Sequence, residues 1–460
     1  MPHRGISAAQ SPEAFASMHF GGLDLGDRRL TRRAERVAAA IASCPHASLP
    51  RQCGDPHQAK GAYRLFDHDA VTSHSISRRH RDRTLDAARE RDVVLFIQDT
   101  TELSFAESRA GVGPIGYGES AHGLLMHSTL AITPGGVVLG LADLKIWARG
   151  PARRGESQAK RRVREGRESL RWKEAIEAVG APPANTRWIH VGDREADVWE
   201  TFVATLEVGS DCVIRACGAA AKRKASIGHG EPKRADATSL DTLARTLPQA
   251  GACEVERHAR PGVPRRTMRL RVSFAPVTLL PPRLTSGERP LHLWVVRAWE
   301  DESEWVIVTT LPVLDVIDAL KVVDHYRRRW TIEEYHKCLK TGCRLEARQL
   351  QDRTRLEPLA AMLAIVALRL LNLKHVAKLT PEAPATDAVP EAYVRVLSKL
   401  RGIPESELTC RRFWRETARL GGFLARNSDG DPGWQTLWLG WHDLELIVQG
   451  ARVAQPSRYG

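Results

Sequence analysis

Two short apolar runs constrain this chain more than any other feature. VVLFIQ at 93–98 is followed by Asp99, and RWIHVG at 187–192 is followed by Asp193. A continuous apolar run of about six residues reads as a buried strand. In an α/β sheet, an acid at the carboxyl end of such a strand faces the usual ligand edge. A buried Asp without a partner is costly, so it asks for a metal, a cation or a hydrogen-bond cage. For Asp99 the plainer alternative is a cap on the next turn. Two such acids, 94 residues apart, suggest two carboxylates meeting at one sheet edge.

A third acid lies in YRRRWTIEEYHKCLK at 326–340. Thr331 with Glu334 three residues on has the form of a capping box, and Gly342 stands where a helix would stop, which predicts a helix over 332–341. At 100° per residue Glu333, Lys337 and Lys340 share a narrow arc, while Ile332, His336 and Leu339 line a face suited to the core. Glu333 falls in the first turn, where the positive end of the helix dipole favours its ionised form and suits it to hold a metal. The alternative is a solvated charged face with i,i+4 pairs.

The chain has 460 residues, enough for about three domains, and a formal charge of +13 with pI near 9.6. That excess favours a polyanionic partner, although solubility alone would also account for it. Eight scattered cysteines without a CxxC pair argue against a zinc ribbon or a disulfide framework and fit a reduced cytosol. The most apolar stretch, 359–371, is too short to span a bilayer and contains Arg369, so no membrane partner is expected.

Around these acids the rest falls into order. Residues 22–46 predict an amphipathic helix with Arg28, Arg29, Arg32, Arg33 and Arg36 crowded on and around one side, a footprint for phosphates or simply a solvated face. Lys60 and Arg64 share one face of a second helix, Gln58 to Phe66. Together these suggest a small helical DNA-binding unit ending near residue 75. A glycine-rich loop over 111–123 precedes two strands joined by Pro134-Gly135-Gly136, a hairpin; His127 reads as structural. A basic stretch, 149–167, reads as an exposed loop leading into a helix through Trp172. After RWIHVG, Arg194, Glu195 and Asp197 open a helix. Between about 211 and 311 the pattern switches to period two, predicting an antiparallel β module that supplies Arg215, basic loops including 218–235, and Trp305, whose plain reading is packing. Helices resume from Val313. A long apolar helix over 356–375 and a Pro/Ala linker near 379–390 lead into a helical tail. There Trp434, Trp438 and Trp441 make one face, a core or a subunit contact.

Three such acids with Arg329 and Lys340 form a carboxylate set of the kind that binds Mg²⁺ through oxygen. Two ions in such a set can clamp an in-line phosphoryl displacement. Tyr326-x2-Arg329-x3-Glu333-x6-Lys340 resembles the YREK signature of bacterial cut-and-paste DDE transposases, the insertion-sequence-four family and its transposon-five-type branch. Asp99 in IQDTTELSF and Asp193 in GDREADV resemble that family's two aspartates, and GAYRLF, ARLGGF and the Trp-rich tail carry the resemblance to both ends.

The resemblance implies an α/β fold: a ribonuclease-H-like core with an inserted antiparallel β module, flanked by helical domains. Its parts would be an end-binding domain at 1–75, a DDE catalytic domain at 76–380 with the β insertion at 211–311, and a dimerisation domain at 381–460. It implies that Asp99 bridges two Mg²⁺ ions, Mn²⁺ substituting, with Asp193 and Glu333 completing the two sites. Tyr326, Arg329 and Lys340 would contact phosphates at the transposon end, Trp305 would stack on a flipped base, and Lys337 and Arg215 would approach DNA, with Arg194 beside them. The partners implied are inverted-repeat end DNA, target DNA and a second copy of the chain in a synaptic dimer, in a bacterial cytoplasm near the nucleoid. The implied reaction is 3′-end nicking, hairpin formation and opening, and strand transfer. A non-catalytic end-binding protein or inhibitor is the alternative, and a structure-specific nuclease without strand transfer a third reading.

Overall fold

The computed structural model describes residues 10–454 apart from 106–108, 117–120, 151–154, 156, 158–159, 161–163, 218–222, 258–265, 283–287, 302 and 427–428. Parts of the glycine-rich loop, of the basic stretch 149–167 and of the loop 218–235 therefore lie outside the described residues. The chain forms two compact units, one from Met1–Ala88, Thr100–Pro151 and Ile332–Gly460, the other from Arg89–Asp99 and Ala152–Thr331.

The second unit holds a large mixed sheet. β1 (Val93–Ser104) enters it with its first half, which pairs in parallel with β5 (Arg187–Gly192). β6 (Asp211–Arg215) is parallel to β5, and β12 (Glu304–Thr309) runs antiparallel to β6. β11 (Leu291–Trp299), β10 (Arg266–Leu279) and β7 (Lys224–Ile227) continue the antiparallel series. β8 (Thr238–Ser239) borders β7, and β9 (Gly251–Arg257) pairs with β10. The segment predicted as period two over 211–311 does hold strands, β6 and β9 to β12 among them. They are not a separate module, however: β6 belongs to the parallel part, and β12 pairs directly with it, so the antiparallel strands extend the same sheet. Trp172, Trp199, Phe202, Ile214, Val277, Val295 and Val308 lie in one core cluster. The helix Val316–Arg327, capped by Asp315 accepting from the Asp318 N–H at 2.9 Å, packs against β6 and β10.

The first unit is built on the helix Arg353–Leu379, longer at both ends than the 356–375 run suggests. It packs against the helices Arg28–Ser43, Pro56–Phe66 and Cys410–Leu420 and against β4 (Val138–Trp147). Its length and composition would let it cross a membrane, but its apolar window is 94% buried in the fold, which makes it a core helix. Each fully buried Leu or Ile on it contributes about 1.5–3 kcal/mol. Arg369, on the same helix, is buried because its guanidinium donates to the carbonyls of Ala42 (3.0 Å) and Gln10 (2.8 Å). β3 (His122–Ile132) and β4 form the expected hairpin beside the second half of β1, with β2 (Gly113–Pro114) on β3.

The tail departs from expectation. Trp434, Trp438 and Trp441 do lie on one helix, Trp434–Ala454, but they face inward. Trp441 stacks on Tyr393 at 4.9 Å and on Trp414 at 5.7 Å, Trp438 stacks on Trp434 at 5.2 Å, and Lys374 lies 3.9 Å over the Trp434 ring. Internal packing consumes the face that was a candidate subunit contact. The outer face of this helix exposes Leu439 and Ile447 instead.

Candidate active site

The pairing of β1 with β5 runs from Val93↔Arg187 to Ile97↔Val191, an offset of 94. Asp99 and Asp193 follow this paired stretch at the same offset, Asp99 still within β1 and Asp193 one residue past the end of β5. One expectation changes here. β1 does not end at its acid but runs on to Ser104, and it is β5 that stops, so Asp99 stands at the point where its partner strand has ended. Residues 94–98 are buried, and Asp99 and Asp193 are half-buried. Behind the acids Gln98 Nε2 meets His190 Nδ1 at 3.1 Å, and burial lowers the His190 imidazole to about 3, so it is neutral.

Asp193 is also an N-cap: its Oδ1 accepts from the Glu195 N–H at 2.8 Å and opens a 3₁₀ turn over Arg194–Ala196. The predicted helix starts later, at Trp199. Arg194 is exposed, and Glu195 pairs with Arg171. Asp197 is buried, paired with Arg223 at 2.5 Å and accepting from the Cys217 N–H at 2.9 Å, which gives it a structural role.

Basic and aromatic groups gather in the same unit. Arg329 Nη1 lies 3.9 Å from Asp99 Oδ2. Tyr326 is buried with its ring edge-to-face against Trp305 at 5.3 Å, and Trp305 itself is half-buried. Arg215 Nη2 donates to the carbonyl of Glu304, next to Trp305, at 2.9 Å. Burial would raise the Glu304 carboxyl, but hydrogen bonds and charge from Arg245 and Arg297, each 2.7 Å away, hold it below its ordinary value.

The helix carrying Glu333 spans Trp330–Lys337, starting earlier than predicted, and continues as a π turn over Cys338–Gly342. The capping box is not formed. Thr331 N–H donates to Arg328 O at 3.0 Å within a chain already turning, and the Glu334 carboxylate is held by Lys374 (2.9 Å) and His375 (3.2 Å). Gly342 is the last residue of the element without being a left-handed cap, and a Cβ there would lie 3.1 Å from Trp438 and 3.3 Å from Leu370. Ile332, His336 and Leu339 are buried as expected, Glu333 and Lys340 are half-buried, and Lys337 is exposed. Lys340 donates to the Glu102 carbonyl and lies 3.5 Å from Glu346. Glu346 also accepts from the Ser104 N–H at 2.8 Å, so one carboxylate outside the predicted set and one backbone carbonyl position this lysine. The sequence reading singled out neither Glu102 nor Glu346. His127 is buried and shares a 2.9 Å hydrogen bond with Thr100, in line with a structural role.

In the N-terminal helices Arg28, Arg29, Arg32, Lys60 and Arg64 are exposed and Arg33 is half-buried. Asp27 caps the first helix by accepting from the Arg29 N–H at 2.6 Å, and Leu30, Ala34, Val37, Ala38 and Ile41 turn inward.

Three family models match the chain: "Transposase DNA-binding" over residues 12–71, "Transposase DDE domain" over 151–369 and "Transposase Tn5 dimerisation domain" over 365–459. Together they support a Tn5-like DDE transposase. The DDE match contains Asp193, Tyr326, Arg329, Glu333 and Lys340, the DNA-binding match contains the exposed arginines, and the dimerisation match contains the tail helix. These matches favour a DNA-acting enzyme, a chemistry that in DDE domains generally uses divalent metal ions, over a protein that only binds DNA. A solved structure, a piggyBac transposase synaptic complex with hairpin DNA, is similar over 97% of this chain and 82% of that one at 9% identity. Its TM-score of 0.34 is too low to carry an argument.

Proposed function

We propose that this chain is a cut-and-paste DNA transposase of the insertion-sequence-four type, in which Asp99, Asp193 and Glu333 hold two Mg²⁺ ions, with Mn²⁺ able to replace them. The observation that supports the reading is the parallel β1/β5 pairing, which both aspartates follow at one offset, with Arg329 3.9 Å from Asp99. The donors suit a hard divalent ion: both aspartates are half-buried carboxylates at one sheet edge, and Glu333 follows Arg329 by four residues in the next helix. Bound there, such ions would activate the attacking oxygen and neutralise the leaving one.

The protein's own groups supply positioning. Arg329, with its planar fork, orients phosphates, and Lys340 and Tyr326 add contacts at the transposon end. The half-buried Trp305 offers its open part to a flipped base, offsetting part of the unstacking cost. Arg215, Arg194 and the exposed Lys337 extend the basic surface, and the arginines at 28, 29, 32 and 33 with Lys60 and Arg64 grip the inverted-repeat DNA. The reaction begins with hydrolysis that frees a 3′-OH. This hydroxyl attacks the opposite strand to close a hairpin, water opens the hairpin, and the freed 3′-OH attacks target DNA, displacing one 3′-oxygen for each phosphodiester formed. In this reading residues 1–75 bind ends, 76–380 carry the chemistry and 381–460 dimerise, with Leu439 and Ile447, eight residues apart and so on one helix face, as the subunit contact.

Purified protein with its own end DNA and Mg²⁺ should nick the 3′ strand. Asp99→Ala and Asp193→Ala should abolish nicking and leave the gel shift intact. Unchanged nicking by both variants overturns the proposal, and a gel shift without metal-dependent cleavage by the wild type returns the non-catalytic reading.

A further inference from the structure

Away from the acids, three metal-ligating side chains converge within the first unit. Cys44, His46 and His442 place their ligand atoms within 4.8 Å of one another. Cys44 Sγ and His46 Nε2 are 3.7 Å apart. Two ligands of a tetrahedral zinc, with Zn–S about 2.3 Å and Zn–N about 2.0–2.1 Å, stand about 3.6 Å apart. The His46 and His442 rings approach to 3.7 Å between centroids, and the His442 Nδ1 is buried with no hydrogen-bond partner. One helical turn on from His442, Glu445 is 1% exposed, and neither of its oxygens has a hydrogen-bond partner at ordinary distance.

The surrounding structure holds these groups in place. Cys44 ends the helix Arg28–Ser43, and the two residues after it are fixed through their neighbours' carbonyls. Gln52 Nε2 donates to Cys44 O at 2.8 Å, and Arg348 donates to the carbonyls of Pro45 and Ala47. His442 and Glu445 ride on the helix Trp434–Ala454, on a common face at i,i+3. Burial lowers both imidazoles, His46 to about 4 with repulsion from His442 added and His442 with repulsion from Arg51 added. Burial, aided by the Glu445 charge, raises the Cys44 thiol to about 11, so a metal would have to displace the thiol proton to solvent on binding. Burial raises the Glu445 carboxyl to about 8 against the opposing charge of Arg369, and a neighbouring cation would favour its ionised form.

We propose that Cys44, His46 and His442 bind a borderline-soft divalent metal of the zinc class, with Glu445 as the charge-balancing carboxylate beside it. The donor set of one sulfur and two nitrogens differs from the all-oxygen set of the three acids, so the two sites select different ions. The metal would tie the loop after the Arg28–Ser43 helix, within the match to the DNA-binding model, to the tail helix within the match to the dimerisation model.

The test uses the full chain, stripped with a chelator and titrated with Zn²⁺ by equilibrium dialysis, and with Co²⁺ as a spectroscopic probe. The expected result is one Zn²⁺ per chain retained in Asp99→Ala, and a sulfur-to-cobalt charge-transfer band with tetrahedral d–d absorption. His46→Gln and His442→Gln should each weaken Zn²⁺ by more than the ~10–100-fold that losing an outer-shell partner costs. Cys44→Ser should remove the charge-transfer band, and Cys53→Ser should change nothing. His46 is half-exposed, so its variant keeps the test open should Cys44→Ser not fold. Absence of the band, Zn²⁺ lost in Asp99→Ala, or Zn²⁺ binding unchanged in both histidine variants would overturn the site.

Discussion

Glu333 and Glu334 are adjacent, and the structure gives them opposite dependence on mutation. Glu334 is buried, with Lys374 at 2.9 Å, His375 at 3.2 Å and Lys378 at 3.7 Å. Burial alone would push its carboxyl up, but the His375 hydrogen bond and the two lysine charges outweigh it and hold it well below the ordinary range. Glu334→Ala leaves Lys374 in the interior without its carboxylate, a kind of loss that costs about 3–5 kcal/mol. The Trp434 face 3.9 Å from the ammonium retains some stabilisation, so the lower figure, about 3 kcal/mol, is expected. Thermal unfolding followed by circular dichroism should then show a fall of roughly 3–5 °C. Because the folded carboxyl is depressed, its contribution is complete above the ordinary value of 4.5 and fades as pH falls below it. The gap between wild type and Glu334→Gln should therefore narrow on acidification. Glu333→Gln, at a half-buried position, should move stability by no more than about 0.5 kcal/mol yet abolish nicking. A Glu334→Ala protein as stable as wild type would refute this division of roles.

Other consequences follow from the same structure. Gly342→Ala would push a methyl against Trp438 and Leu370 and should cost about 1–3 kcal/mol, read as a lower urea midpoint. Trp305→Ala should impair hairpin formation more than the first nick, and equal loss of both in a gel time course would point to misfolding instead. Replacing Arg28, Arg29 and Arg32 together by Ser should weaken end binding and flatten its salt dependence by about 0.9 per lost phosphate contact, with thermal stability nearly unchanged because all three are exposed. Leu439→Asp with Ile447→Asp should leave the chain folded and, by sedimentation, monomeric on end DNA.

The strands around the acids were legible because burial on both faces writes itself as a continuous apolar run: VVLFIQ and RWIHVG became paired parallel strands, with an acid following each at the same offset. What the runs could not tell is where β1 stops, since its second half is supported by β3, whose approach no local pattern records. The period-two segment predicted strands correctly but not their membership, because alternation specifies a face and not a neighbour, and β6 looks alike in either setting. Thr331 and Glu334 fit a capping box in sequence, yet Lys374 and His375, 40 and 41 residues away, captured the glutamate. The tail tryptophans showed helical periodicity, which cannot distinguish a face covered by Tyr393 and Trp414 from one covered by a second subunit. Cys44, His46 and His442 were invisible for the same reason, their meeting being set by the packing of two distant helices.

The central claim, that three carboxylates run the chemistry of a DNA transposase, is tested most directly by metal-dependent cleavage of the element's own end. Wild-type protein should nick the 3′ strand with Mg²⁺ or Mn²⁺ and fail with chelator, while Asp99→Ala, Asp193→Ala and Glu333→Ala bind the end with unchanged affinity and leave it intact. Nicking by any one of the three variants at the wild-type rate would contradict the account.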